Sequence, residues 1–130
     1  MDYNKLSLMS LTSKKMEWLS GRQKVVAENV ANSDTPGYKA KDVSTFAEYL
    51  DGSSKKVGTY VTNPRHITMN ARSNLGIHDD KNAWGSNING NTVSLEQESI
   101  KSAEIKETYA MATNLYKKGY SLIKTAIGNR

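Results

Sequence analysis

The stretch ENVANSDTPGYKA, residues 28–40, decides the fold because a long helical pattern ends inside it. Thr35 precedes a proline, which pushes it out of the helical region, so the helix has to end before it. Thr35-Pro36-Gly37-Tyr38 fits a type II turn, in which proline sets the first central position and glycine accepts the positive φ of the second. Asp34 can bond the backbone just ahead of it in an Asx turn. The stretch therefore predicts a sharp change of chain direction.

Two asparagines, Asn29 and Asn32, stand where the helical pattern ends. Short polar side chains in this position can bond the carbonyl groups that an ending helix leaves free, or let the backbone enter the left-handed region. The sequence leaves both roles open. The candidate turn motif consists of Asn29, Asn32, Asp34, Thr35, Pro36, Gly37 and Tyr38.

Upstream of the turn, the pattern from about residue 4 to residue 32 is helical. Seven positions follow a heptad repeat, and five of them are apolar, which is typical of a coiled-coil seam. A helix of this length would measure about 43 Å. The candidate assembly seam of this helix consists of Met9, Met16, Leu19, Val26 and Val30.

A second helical pattern covers about residues 93–129. Ser94-Leu95-Glu96-Gln97 has the form of a capping box, which predicts the start of this helix. Tyrosines and isoleucines spread its apolar surface beyond one stripe, and a two-helix hairpin can cover only one. Extra apolar surface of this kind is typical of an interface. The candidate assembly seam of this helix consists of Ile105, Ala112, Leu115, Gly119, Leu122 and Ala126.

The predicted fold is mainly α, with long N- and C-terminal helices that form a coiled-coil-like pair and a small irregular or β-containing middle segment. We divide the chain into an N-terminal coiled-coil helix (residues 1–32), a turn motif with its middle segment (33–91) and a C-terminal coiled-coil helix (92–130). The composition of the middle segment predicts loops at residues 51–56 and 84–91. It also suggests short extended pieces at residues 57–62 and 66–69.

The net charge is +5 and the isoelectric point is about 9.4, a balance that invites a nucleic-acid interpretation. The distribution argues against it, because basic and acidic groups number five and three in residues 1–32, seven and six in 33–91, and six and four in 92–130. A solvated surface of mixed charge is the simpler interpretation. A basic module that binds nucleic acid or cell wall remains the alternative.

Other classes of function find little support. The chain has no cysteine, which excludes disulfides, thiolate metal sites and cysteine nucleophiles. His78-Asp79-Asp80 is a weak cation site at best, and Glu96 and Glu98 lie on different helix faces, a poor arrangement for acid–base catalysis. We expect no catalytic residue, no metal site and no cofactor. A wall-remodelling hydrolase would need two carboxylates in one cleft.

The stretch RQKVVAENVANSDTPGYKAKDVSTF, residues 22–46, resembles the N-terminal signature of the bacterial flagellar rod and hook axial family. In that signature a helix ends in a form of N-x-A-N-x-x-T-x-G-Y, here Asn29 to Tyr38. The Asp-Thr-Pro-Gly-Tyr version, the later Gly90-Asn91-Thr92-Val93 and the short chain most resemble the proximal rod members. The resemblance covers both ends and a short central piece.

The resemblance implies a structural, non-enzymatic subunit of the basal body that polymerises through its terminal helices around the export channel and transmits torque from the motor to the hook. It implies a periplasmic rod location and type III export without a cleaved signal, and residues 1–18 show no secretory signal pattern. Implied partners are copies of itself, other rod subunits, the rod adaptor at the MS ring and the export apparatus. Neither nucleic acid nor membrane insertion is expected.

Overall fold

The computed structural model describes residues 3–54 and 75–128. Within them the chain forms helix α1 (Tyr3–Ala31), strand β1 (Lys41–Val43), helix α2 (Phe46–Ser54), strand β2 (Ile77–Asp79) and helix α3 (Leu95–Gly128). The predicted mainly α fold, with two long terminal helices and a small middle that contains strands, is confirmed. The extended pieces expected at residues 57–62 and 66–69 lie outside the described residues.

Helices α1 and α3 pack against each other in an antiparallel pair. Gln23 Nε2 lies 3.3 Å from Ser102 Oγ, and Met16 Sδ lies 3.6 Å from the hydroxyl of Thr113. Further along, the position that a Cβ of Gly119 would take lies 3.5 Å from Met9 Cγ. With distance from the turn motif, the residue numbers of these contacts fall along α1 and rise along α3. The two helices therefore run antiparallel over this length.

The core lies in the half of the helix pair next to the turn motif. Trp18 is 8% exposed there, and its indole N–H donates to the carbonyl of Ser44 at 2.9 Å. Phe46 packs on Trp18, with ring centroids 5.8 Å apart. Burial of each such side chain stabilises the fold by about 1.5–3 kcal/mol. The buried core cluster consists of Trp18, Leu19, Val25, Val26, Val43, Tyr49 and Ile105.

The two strands pair antiparallel, with Lys41 opposite Asp79 and Val43 opposite Ile77. The ladder is extended at one end by the backbone N–H of Asp80, which donates to Ala40 O at 2.8 Å. This pairing places Asp80 beside the helix pair. The cation site considered at His78-Asp79-Asp80 is instead part of a strand and its continuation.

Helix α2 corrects the loop predicted at residues 51–56 over residues 51–54, because it continues through Ser54; residues 55 and 56 lie outside the described residues. Thr45 and Glu48 form a reciprocal capping box at its start, with the two backbone N–H groups 3.1 and 3.4 Å from the opposite side-chain oxygens. Tyr49 is 3% exposed and belongs to the core. The Asp, Gly and Ser residues of this segment are typical of loops. The capping box and the buried tyrosine therefore stabilise it as a helix.

Gly21 lies in the middle of α1, where glycine costs up to about 1 kcal/mol relative to alanine. A Cβ at this position would lie 2.5 Å from Leu75 Cδ1 and 3.3 Å from Leu75 Cγ. Leu75 is half-buried against the core cluster. The glycine therefore allows the segment that precedes β2 to pack directly on α1.

Helix α3 begins with only half of the expected capping box. Ser94 Oγ accepts from the backbone N–H of Gln97 at 3.4 Å. The side chain of Gln97 does not return to the cap; it donates to Asn82 O at 2.8 Å and accepts from the N–H of Trp84 at 3.2 Å. This ties the loop before α3 to the helix. Trp84 itself is 64% exposed.

Candidate functional site

The turn motif has the geometry of a type II turn. The N–H of Tyr38 lies 3.3 Å from Thr35 O, and Gly37 has φ +73°. The N–H of Gly37 also donates to Asn89 O at 2.9 Å, which joins the turn to the loop before α3. Asp34, Thr35 and Pro36 lie exposed at its tip.

We expect Gly37→Ala to lower the free energy of unfolding by about 1–2 kcal/mol, because an L side chain at positive φ is strained. Nothing lies within 4 Å of the added Cβ, so the loss would reflect backbone conformation alone. Gly85→Ala is the matched control, since Gly85 is exposed, has open space and lacks a positive φ. Urea unfolding followed by circular dichroism measures both variants; equal midpoints would contradict the prediction.

Asn29 is fully buried and uses its whole amide. Its Oδ1 accepts from the N–H of Lys41 at 3.0 Å and from the hydroxyl of Tyr38 at 3.2 Å. Its Nδ2 donates to Lys41 O at 2.7 Å and to Glu98 Oε2 at 3.1 Å. One side chain of α1 therefore joins the turn motif, β1 and α3. Burial raises the pKa of the Tyr38 hydroxyl, and the charges of Glu28 and Glu98 raise it further.

A buried charge cluster, which we call the polar hub, continues from Asn29. Lys101 Nζ lies 2.6 Å from Asp80 Oδ2, 3.1 Å from Glu98 Oε1 and 3.7 Å from Asp42 Oδ2. Arg22 donates from Nε and a terminal nitrogen to the two oxygens of Asp42, at 3.2 and 3.3 Å. Two cations thus face three carboxylates. The hub joins α1, β1, α3 and the residue after β2.

Hydrogen bonds and neighbouring charges together outweigh burial, the largest single cause, in shifting the pKa values of Asp80 and Lys101. Burial alone would raise the pKa of the Asp80 carboxyl, but bonds from Lys101 Nζ and the N–H of Asn82, with the charge of Lys101, hold that pKa below its usual value. Burial alone would lower the pKa of Lys101, but its bonds to Asp80 and Glu98 and the charges of Glu98 and Asp42 raise it. Both groups are therefore charged at neutral pH.

Asn91 holds the turn from the other side and is 1% exposed. Its Nδ2 lies 2.9, 2.9 and 2.8 Å from the carbonyl oxygens of Asn32, Ser33 and Thr35. Its Oδ1 accepts from the N–H of Val93 at 2.8 Å. Two amide protons therefore serve three carbonyl groups at the end of α1 and in the turn.

The two predicted roles of the motif asparagines can now be separated. Asn32 Nδ2 donates to Glu28 O at 2.8 Å, as expected for a side chain that bonds a freed carbonyl at a helix end. Within the described residues only glycines have positive φ, so neither asparagine enters the left-handed region. Asn29 does more than was predicted, because its partners lie in other elements.

The structure divides the predicted seam residues into two groups. Leu19, Val26, Ile105 and Ala112 are buried, and Met9, Met16 and Gly119 are half-buried; the first four lie on the faces where α1 and α3 meet. Exposed residues form the second group, namely Val30, Leu115, Leu122 and Ala126. Only the second group is open to another chain, and its role in assembly stays a prediction.

Helix α3 carries two exposed flanks, one on each side of its contact with α1, because successive residues advance about 100° around a helix. The Leu flank consists of Ile100, Glu104, Glu107, Met111, Leu115 and Leu122. The Tyr flank consists of Lys106, Tyr109, Tyr116, Lys117, Tyr120 and Lys124. All twelve residues are exposed, and the apolar ones among them range from 36% to 67%. This matches the expectation that a two-helix pair cannot cover the apolar surface of α3.

The described residues show no cluster of three or more histidine, aspartate or glutamate side chains placed to hold a metal ion. Across residues 3–54 and 75–128, no helix combines the length and the apolarity needed to cross a membrane.

Sequence reasoning missed the polar hub and Asn91. The heptad that predicts Ile105 and Ala112 also passes through Glu98, seven residues earlier. A glutamate on a seam position was the available signal for a buried, paired carboxylate. Lys101 gives a comparable signal, because it lies fourteen residues before Leu115 on the heptad row of Leu115 and Leu122. Asp80 has no such signal, and Asn91 stood out only within the Gly90-Asn91-Thr92-Val93 piece of the family resemblance.

Comparison with known proteins places these features in one family. The family model described as flagella basal body rod protein matches residues 18–39, the second half of α1 with the turn motif. The chain is 41% identical over 115 residues to the flagellar basal body rod protein FlgB of Agrobacterium fabrum, covering 86% of each chain. It is 32% identical over 127 residues to FlgB of Bacillus subtilis, covering 94% of this chain and 97% of the relative. The chain therefore belongs to the FlgB family of flagellar basal body rod proteins.

Proposed function

We propose that this chain, a structural rod subunit by its family, occupies the proximal rod and assembles through the α1–α3 pair around the export channel. In this position it would transmit torque from the motor to the hook and filament. Its partners would be copies of itself, other rod subunits, the rod adaptor at the MS ring and the export apparatus, which would deliver it without cleavage of a signal. The relatives carry the names of rod proteins and not of enzymes.

The observation that carries the proposal is the apolar surface that the pair leaves uncovered. Met111 is 67% exposed, Leu122 50% and Tyr120 61%, all on one helix. Surface of this kind on a small chain marks an interaction site. The core next to the turn motif gives the pair a rigid end, so the flanks can be presented in a defined orientation.

The test is Leu122→Asp in the flagellated bacterium that encodes the chain, after deletion of its own copy. We expect the variant to be exported at the normal level but to give no rods and no motility, because a carboxylate replaces an apolar contact between chains. Val26→Asp would be a poor test, since Val26 is 3% exposed in the core and its loss would unfold the chain.

Asn114→Asp is the matched control, because Asn114 is exposed on the face of α3 that points away from both flanks. It should leave motility unchanged. Normal rods with Leu122→Asp would contradict assembly through this surface, and failure of the unmodified gene to restore motility would contradict the proposed function itself.

A further inference from the structure

The two flanks of α3 differ in charge as well as in shape. The Leu flank carries Glu104 and Glu107, with a single lysine, Lys118, at its edge. The Tyr flank carries Lys106, Lys117 and Lys124 and no exposed carboxylate. Opposite charges placed on opposite sides of one helix do not compensate each other. They become complementary when the Leu flank of one molecule meets the Tyr flank of another copy.

Each side of the helix pair carries a groove between α1 and α3, and the two grooves differ in size and lining. On the Tyr side, α1 and α3 leave a groove of about 350 Å³, lined by residues that include Leu19, Ile105, Lys106 and Tyr109. On the Leu side, the groove is smaller, about 240 Å³, and its lining includes Lys15, Arg22 and Glu104. Met111, beyond this groove, is 67% exposed. Methionine is unbranched and polarizable and fits irregular apolar gaps well. The larger groove bears a lysine, and the exposed methionine of the other flank stands near two glutamates, so the two surfaces are matched in chemistry.

We infer that the Leu flank of one copy of this chain packs on the Tyr flank of the next copy. Glu104 and Glu107 then face the lysines of the Tyr flank, and Met111 and Leu115 enter the groove beside Tyr109. The inference rests on the proposed function and specifies its contact. Because two different surfaces are used, every added copy leaves one flank free, so the contact continues from copy to copy as a heterologous interface does.

The absence of cysteine makes the contact directly testable, since each introduced cysteine is the only thiol of its chain. Two differently tagged chains are co-expressed in the flagellated bacterium that lacks its own copy, one with Met111→Cys and the other with Tyr109→Cys, the residue that lines the groove. Mild oxidation of isolated basal bodies should give a mixed dimer that carries both tags. Asn114→Cys, on the face away from both flanks, is the control and should not cross-link.

Several outcomes would overturn the pairing. If the Met111→Cys chain cross-links to a second Met111→Cys chain, the Leu flank meets another Leu flank. A product with a different rod protein would assign the flank to another partner, and no product from the mixture of the Met111→Cys and Tyr109→Cys chains would exclude the contact. If the unmodified chain restores motility in the same cells, these results reject the pairing and leave the proposed function intact; if it does not, both fail.

Charge exchange provides an independent check. Glu104→Lys with Glu107→Lys in the Met111→Cys chain should lower the yield of mixed dimer roughly fivefold, as expected for two exposed ion pairs. Lys106→Glu with Lys117→Glu in the other chain should lower it similarly. When both reversed chains are combined, the yield should recover. A yield that stays low in the combination would show that these charges do not face each other.

Discussion

Lys101→Met is expected to lower the free energy of unfolding by about 3–5 kcal/mol at pH 7, because it removes one partner of a buried ion network. The ammonium group lies 2.6 Å from Asp80 and 3.1 Å from Glu98, whose side chains are 4% and 1% exposed. Without it these carboxylates would face each other away from water. Urea unfolding followed by circular dichroism at 222 nm measures the loss.

Two further variants separate this effect from simple loss of a lysine. Lys106→Met removes an exposed lysine from the same helix and should change the free energy of unfolding by less than about 0.5 kcal/mol. Adding Glu98→Gln and Asp80→Asn to Lys101→Met should recover much of the stability, because the uncompensated charges are then gone. A cost for Lys101→Met no larger than that of Lys106→Met would contradict the role of the hub.

The same variant should acquire a dependence of stability on pH between pH 7 and pH 5. The lowered pKa of Asp80 means that its contribution is complete above its unfolded value of about 3.9 and is lost as the pH falls through the folded pKa. The raised pKa of Lys101 means that its contribution is complete below about 10.4 and is lost as the pH rises through its folded value. In Lys101→Met the unpaired carboxylates would have raised pKa values, so stability should increase from pH 7 to pH 5, where the unmodified chain stays level.

Local chemistry explains which parts of this architecture could be predicted. Thr35-Pro36-Gly37-Tyr38 forms the expected turn because proline and glycine restrict φ within four residues. The long helices follow from apolar periodicity, which is also local. The loop predicted at residues 51–56 was wrong over Asp51–Ser54, because burial of Tyr49 overrides the local preference of the residues after it.

The polar hub could not be predicted because its partners are distant in sequence. Glu98 stands near the start of α3, where a glutamate is ordinarily a solvated group that favours the helix dipole. Its burial depends on Asn29, 69 residues away, and on the pairing of β1 with β2, which places Asp80 beside Lys101. Likewise, the resemblance includes Asn91, but its role appears only when the fold brings the carbonyl groups of the turn to its amide. Side chains of this kind are specified by tertiary packing.

Asn91→Asp is expected to lower the free energy of unfolding by about 3 kcal/mol or more, although it changes the shape of the side chain very little. The carbonyl groups of Asn32, Ser33 and Thr35 lie 2.8–2.9 Å from Nδ2, and the N–H of Val93 lies 2.8 Å from Oδ1, so the surroundings dictate which end of the amide faces which partner. An aspartate would place an oxygen against three carbonyl oxygens and leave their acceptor capacity unmet.

Asn114→Asp controls for the added charge, because Asn114 is exposed, and should cost less than about 0.5 kcal/mol. The Asn91→Asp variant should regain part of its stability as the pH falls toward 4, since a protonated carboxyl can donate to one carbonyl group and the folded pKa of the new carboxyl would be raised. Asn91→Ala, which removes the donors without adding repulsion, should fall between the two. Equal unfolding midpoints for Asn91→Asp and Asn114→Asp would mean that the turn does not depend on the hydrogen bonds that Asn91 donates. The contacts of Asn29 and the polar hub would then be sufficient to orient the helix pair.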